Sequence, residues 1–106
     1  MRKYRNQPVE IDGHKFASKA EARRYGELKL LERTGKVREL QLQPKFVFEH
    51  LGVRIGTYKA DFSYVLPHSP SLIVEDVKSP ASKTQAYRLR KRMMKAFYGI
   101  EIREVA

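Results

Sequence analysis

The segment from Leu72 to Lys78 restricts the fold more than any other part of the chain. It reads Leu-Ile-Val-Glu-Asp-Val-Lys, so three large apolar residues in succession lead into a charged end. Successive side chains of a strand point to opposite faces, and a continuous apolar run is typical of a strand that is covered on both sides. The segment therefore predicts a central strand in a sheet with layers packed on both faces.

Two segments with helical spacing predict those layers. The first helix is predicted over 18–34, because Ser18 and Glu21 form a capping-box pattern and Gly35 is a typical residue after a helix end. The second is predicted over 84–98 and ends at Gly99. Its apolar stripe is predicted to consist of Ala86, Leu89, Met93 and Phe97.

The other strands follow from period-two alternation and from turn residues. Val9 to Phe16 is predicted to be a hairpin that turns at Asp12-Gly13. Further strands are predicted over 40–48, interrupted at Pro44, over 58–65 and over 100–105. A strand–helix–strand ending favours a crossover to a parallel neighbour. We therefore expect one α/β domain over 1–106, a mixed sheet flanked by helices, with a basic arm and hairpin over 1–17.

Charge indicates the kind of partner. The chain has 22 Lys and Arg against 12 Asp and Glu, which gives a net charge of +10 over 106 residues. Such an excess favours binding to a polyanion, above all nucleic acid. No segment approaches the roughly 20 apolar residues that span a bilayer, and no apolar run follows the basic start, so we expect neither a membrane partner nor a signal peptide. The absence of cysteine suits a reducing cytoplasm and excludes thiolate zinc sites.

Three charged residues at strand ends carry the chemistry. Asp76 and Lys78 are two apart on the central strand and therefore share a face, and Asp61 lies on the preceding strand. If the two strands are neighbours, the carboxylates converge and form with the Val77 carbonyl a site for Mg²⁺ or Mn²⁺. A lysine beside such an ion can position water and stabilise charge on a phosphate. The alternative, without a function, is that Asp76 and Lys78 form an exposed ion pair at a sheet edge.

This arrangement resembles the PD-(D/E)XK nuclease superfamily. The motif here reads Lys59-Ala60-Asp61-Phe62 and then Asp76-Val77-Lys78, with alanine in place of the proline that gives the family its name. The superfamily core runs αβββαβ, which is the order predicted above, so the resemblance covers nearly the whole chain. Small phage-encoded endonucleases and Holliday-junction resolvases are the most similar members.

The resemblance implies a Mg²⁺-dependent endonuclease that hydrolyses DNA phosphodiester bonds. Asp61 and Asp76 would bind the metal, Lys78 would position water, and Glu21 would assist or hold a second ion, since many members carry an acid on the first helix. It further implies branched DNA as the substrate, a homodimer, and a phage origin with action in the host cytoplasm. Phage replication or recombination proteins would then be partners.

Several assignments remain open at the level of sequence. Glu21 is explained equally well as the third helical residue of a capping box. Glu75 is the competing metal acid, although it is expected on the opposite face from Asp76. Gln43 is an accessory candidate that would orient water or contact phosphate, or else satisfy backbone groups beside Pro44.

Basic residues near both helix starts are the candidates for DNA contact. The predicted set consists of Lys83, Thr84, Arg88, Lys91 and Arg92 on the second helix and Arg23 and Arg24 on the first. A solvated helix face is the alternative interpretation. Two rival functions also stand: a non-catalytic basic nucleic-acid-binding module, and a subunit of a phage replication or packaging complex.

Overall fold

A computed structural model describes residues 8–106 and contains two α-helices, one short 3-10 helix at Pro80–Ser82 and eight strands within them. The elements are β1 Val9–Ile11, β2 His14–Phe16, α1 Lys19–Arg33, β3 Arg38–Leu42, β4 Lys45–His50, β5 Val53–Lys59, β6 Phe62–Leu66, β7 Ser69–Val77, α2 Gln85–Tyr98 and β8 Arg103–Val105. The predicted basic arm is described only from residue 8 onward, and its residues 1–7 lie outside the described part. No helix in the described part is long and apolar enough to cross a membrane.

The main sheet has four strands in the order β3-β6-β7-β8. Its first three strands are antiparallel, whereas β8 runs parallel to β7 after the crossover through α2. The prediction of an α/β fold with a mixed sheet, two helices and a parallel last strand is therefore confirmed. The strand that contains Val74 occupies an inner position, as its apolar start predicted.

Two strands that the sequence predicted as continuous are each divided in two. The strand predicted over 40–48 breaks at Gln43, which has a φ of +51° and precedes Pro44. The strand predicted over 58–65 breaks at Ala60 and Asp61. Backbone hydrogen bonds tie the two breaks together, from Gln43 N–H to the Asp61 carbonyl and from Ala60 N–H to the Pro44 carbonyl. Strands β4 and β5 consequently form a hairpin that leaves the main sheet at this point.

The break also changes which aromatic residues share a face. Phe62 and Tyr64 pack with α1 in one core, whereas Tyr58 packs with α2 in the other. One continuous strand over 58–65, as the sequence predicted, would put all three on one face, but the irregular Ala60–Asp61 segment interrupts the alternation. The two cores lie on opposite sides of the sheet and give it the two covering layers that its central strand requires.

The helices begin and end close to the predicted residues. Ser18 caps α1 by accepting a hydrogen bond from Glu21 N–H at 3.1 Å, and Thr84 caps α2. The predicted apolar stripe of α2 was wrong, because the helix buries Tyr87 and Met94. Three of the four stripe residues, Ala86, Leu89 and Phe97, are exposed, and Met93 is half-buried.

Candidate active site

Strand pairing places Asp61 directly opposite Asp76. Strands β6 and β7 are antiparallel with Phe62 opposite Glu75, so the register carried one residue further sets Asp61 against Asp76. The Asp61 N–H donates to Asp76 Oδ1 at 2.8 Å, and the Val77 N–H donates to Asp61 Oδ2 at 2.7 Å. The two carboxylates that the sequence singled out therefore lie together where the two strands diverge.

The carboxylate pair is largely removed from water. Asp76 is 2% exposed, and burial is the main cause that raises its pKa to about 6, with a further contribution from the negative charge of Asp61. Burial also raises the pKa of Asp61. The Tyr58 hydroxyl donates to Asp76 Oδ2 and stabilises its charged form. Burial and mutual repulsion make the doubly ionised pair unfavourable unless a positive charge is present.

Glu21 adds a third carboxyl group to this region. Its residue is 7% exposed, and burial followed by the negative charge of Asp61 raises its pKa to about 7. Asp76 acts in the same direction. The capping-box alternative is seen only in part: the Ser18 hydroxyl accepts from Glu21 N–H, but no hydrogen bond within residues 8–106 joins the Glu21 carboxylate to Ser18. The N-terminus of α1 thus brings Glu21 into the electrostatic field of the aspartates.

Lys78 is held by an aromatic ring of the second helix. Its Nζ lies 4.3 Å from the centroid of the Tyr87 ring, a geometry for a cation–π interaction. The Tyr87 hydroxyl donates to Glu104 at 2.8 Å, which fixes the ring. Lys78 forms no salt bridge within the described part of the chain. It is therefore not paired with Asp76 in the exposed ion pair that was the alternative interpretation of these two residues.

Glu75, the competing metal acid, is held by partners on the α1 side of the sheet. It is 0% exposed and accepts two hydrogen bonds from Arg24, from Nε at 2.9 Å and from an Nη at 2.7 Å. Tyr64 donates to the same carboxylate, and Arg103 in turn donates to the Tyr64 hydroxyl at 3.1 Å. Glu75 therefore faces α1 on the opposite side of the sheet from the partners of Asp76, as the alternation predicted.

The donor set fits a hard divalent cation. Mg²⁺ is commonly bound through one or two carboxylates and retains several waters. Asp61 and Asp76 supply such a pair, and each carboxylate oxygen that accepts one hydrogen bond keeps a second lone pair. Among residues 8–106, no three His, Cys, Asp or Glu side chains form a ready-made metal site. A cation here would accordingly rely on the aspartate pair, water and backbone oxygen.

The basic residues predicted to contact DNA fall into two groups. Arg24 is engaged with buried Glu75 and with Glu27, so its charge is already paired within the chain and its DNA contact stays a prediction. Lys83 and Lys91 both pair with Glu104, at 3.0 and 3.1 Å, and lower the pKa of Glu104 to about 2. These pairs neutralise part of the predicted face. Those that form no ion pair in the described part of the chain are Arg23, Arg88 and Arg92, and Thr84 serves as the N-cap of α2.

Two residues of the site were not predicted as functional. Tyr58 donates a hydrogen bond to Asp76, and the Tyr87 ring contacts Lys78, yet both have the sequence pattern of ordinary core aromatics. Only the packing of β5 and α2 against the end of β7 reveals the two tyrosines.

Gln43, the accessory candidate, acts through its backbone. Its N–H donates to the Asp61 carbonyl at 2.9 Å, and its side chain makes no hydrogen bond within the described region.

The chain belongs to a family described as "Protein of unknown function (DUF1064)", whose model matches residues 1–105. Comparisons with curated proteins and with solved structures find no match.

Proposed function

We propose that this protein is a metal-dependent DNA endonuclease that hydrolyses phosphodiester bonds. The observation that carries the proposal is the contact between Asp61 and Asp76, two mostly buried acids with raised pKa values, beside Lys78. Burying two acids together costs free energy that a purely structural pair has no reason to incur. Such clusters are typical of functional sites.

The order of the elements supports the same proposal. The helices and the strands of the main sheet follow one another as α1, β3, β6, β7, α2, β8, which is the αβββαβ order of the PD-(D/E)XK nucleases. Asp61, on the segment before β6, and Asp76, at the end of β7, would be the two acids of that family's motif. We accordingly propose a restriction-endonuclease-like core with the β4–β5 hairpin inserted between its first two strands.

Each residue has a role in this scheme. Asp61 and Asp76 would hold Mg²⁺ or Mn²⁺, and the Val77 carbonyl would lie on the side of the strand from which the Val77 N–H reaches Asp61. The metal, when bound, supplies Lewis acidity toward the phosphate and toward water. Lys78 stabilises negative charge that develops on the phosphate. Glu21, with a pKa of about 7, exchanges a proton readily near neutral pH.

Hydrolysis joins a water oxygen to phosphorus and breaks one P–O ester bond, and the leaving oxygen takes up a proton. A preference for branched DNA, a homodimeric state, a phage origin and cytoplasmic action rest on the family resemblance and form part of the proposal. RNA is the control substrate for the DNA assignment.

The test is cleavage by the purified protein with and without Mg²⁺. Substrates are a four-way junction, a linear duplex of the same sequence and an RNA duplex. The wild type is expected to nick DNA only with Mg²⁺, and Asp61→Ala is expected to abolish nicking. Glu49→Ala is a matched control, because Glu49 is an exposed acid on the β4–β5 hairpin.

Cleavage that persists in Asp61→Ala would overturn the proposal. Tight, salt-sensitive binding without turnover, unaffected by Lys78→Ala, would favour a non-catalytic nucleic-acid-binding module, which the charge of +10 alone would support. Activity that appears only with added phage replication or packaging proteins would point to a subunit of a larger complex.

A further inference from the structure

A groove of about 360 Å³ opens between the β4–β5 hairpin and the start of α2, and Lys78 is one of the residues that line it. Its lining includes Tyr58, Lys59, Lys78, Thr84, Tyr87 and Arg90. Three of these six are cations, and none of the described residues that line the groove is acidic. The groove therefore presents a concentrated positive potential next to the site proposed for hydrolysis.

The cations of the groove have no acid partner in the described part of the chain, unlike two lysines close by. Lys83 and Lys91 pair with Glu104 nearby. By contrast, Lys59, Lys78 and Arg90 form no ion pair within residues 8–106. Lys59 also lies directly opposite Lys45 in the β4–β5 pairing, which places like charges together. An anion from outside the described chain would offset this repulsion.

Arg90 is oriented before any ligand arrives. Its Nε donates to the Thr57 carbonyl at 3.0 Å, which joins α2 to the hairpin and fixes the guanidinium plane. The two terminal nitrogens of that guanidinium make no hydrogen bond in the part of the chain that the structure describes. A guanidinium held in this way has donors in a fork that matches phosphate oxygens.

Two residues connect the groove to the carboxylate pair. The Tyr58 hydroxyl donates to Asp76, and Lys78 follows Asp76 by two positions. We propose that the groove binds the phosphodiester backbone of the DNA strand next to the bond that is cut, with Lys59 and Arg90 each contacting one phosphate. The inference rests on the proposed function for the identity of the strand, and on the groove itself for the binding.

The test compares two double variants that lose the same charge. K59A/R90A removes two of the three groove cations and leaves Lys78 in place, and R33A/K36A removes two exposed cations at the end of α1, outside the groove. Binding of a fluorescent DNA duplex is measured by anisotropy in EDTA between 50 and 200 mM salt. Each phosphate contact contributes about 0.9 to the slope of log affinity against log salt concentration. The slope for K59A/R90A is therefore expected to be smaller than that of the wild type by about 1.8.

This loss means that the fall in affinity between the two salt concentrations becomes about twelvefold smaller than in the wild type. R33A/K36A is expected to keep the wild-type slope. Equal slopes for the two double variants would overturn the proposal that the groove binds the DNA backbone. If K59A/R90A does not fold, Lys59→Ala alone removes an exposed side chain and is expected to lower the slope by about 0.9, and an unchanged slope would overturn the proposal.

The outcome separates this inference from the proposed nuclease activity. If the wild type nicks DNA and the two double variants have equal slopes, the proposed nuclease activity stands and the proposed DNA binding in the groove is overturned. A slope change confined to K59A/R90A, with no nicking under any condition, would leave the groove as a DNA-binding site and remove the nuclease. Arg90→Lys, which keeps the charge, is expected to retain most of the slope, whereas a loss as large as that of Arg90→Ala would count against a phosphate contact.

Discussion

The buried ion pair of Arg24 and Glu75 joins α1 to the sheet on the face opposite Asp76, and its contribution to the free energy of unfolding can be tested. Arg24→Met keeps an unbranched side chain on α1 and removes the charge and both hydrogen bonds to Glu75. Glu75 is 0% exposed and would remain with only Tyr64 as a donor. Removing one partner of a buried ion pair costs about 3–5 kcal/mol.

The lower end of that range is expected, about 3 kcal/mol, because the Arg24 side chain is 20% exposed and water can partly replace it. A domain of this kind has a free energy of unfolding of about 5–15 kcal/mol, so the loss is a large share. Urea unfolding followed by circular dichroism measures it. Arg23→Met, at an exposed position of the same helix, is expected to change stability by less than about 0.5 kcal/mol.

A second variant separates charge from packing. Arg24→Met with Glu75→Gln leaves no uncompensated buried charge and is expected to be more stable than Arg24→Met alone. If Arg24→Met costs no more than Arg23→Met and instead weakens DNA binding, the assignment of Arg24 to the buried pair is refuted. That result would support the prediction that Arg24 contacts DNA.

Two further predictions concern the acids and the lysine. The raised pKa values of Glu21 and Asp76 mean that the folded protein retains protons that the unfolded chain loses between about pH 4 and 7, so metal-free stability should fall as pH rises through that window. Mg²⁺ should therefore raise Tm more at pH 8 than at pH 5, and equal shifts, or shifts that survive Asp61→Asn, would contradict this. Tyr87→Phe keeps the ring beneath Lys78 and should retain kcat, whereas Tyr87→Leu should lower kcat about tenfold with little change in KM; identical kinetics for the two variants would show that the ring has no positioning role.

Local rules predicted the parts of the fold that depend on neighbours in sequence. Ser18 and Gly99 set helix ends through capping, and the apolar run before Glu75 required an inner strand. The opposite faces of Glu75 and Asp76 followed from strand geometry alone. The pairing of Asp61 with Asp76 followed once the two strands were taken as neighbours.

Features that depend on long-range packing were not predictable in this way. Tyr58 packs in a different core from Phe62 and Tyr64 because the strand is interrupted at Ala60. Alternation on one side of such an interruption does not predict the faces on the other side. The buried face of α2 was decided by the hairpin and the sheet against which it packs. Arg24 and Glu75 are 51 residues apart, so no local pattern indicates that the charge of this arginine is paired within the chain.

The most direct test of the central claim is anomalous diffraction from crystals soaked in Mn²⁺. A peak is predicted within bonding distance of carboxylate oxygens of both Asp61 and Asp76, and Asp61→Asn crystals soaked in the same way should lose it. Crystals in which Mn²⁺ binds elsewhere, or in which the two carboxylates remain without a cation at saturating Mn²⁺, would contradict the account.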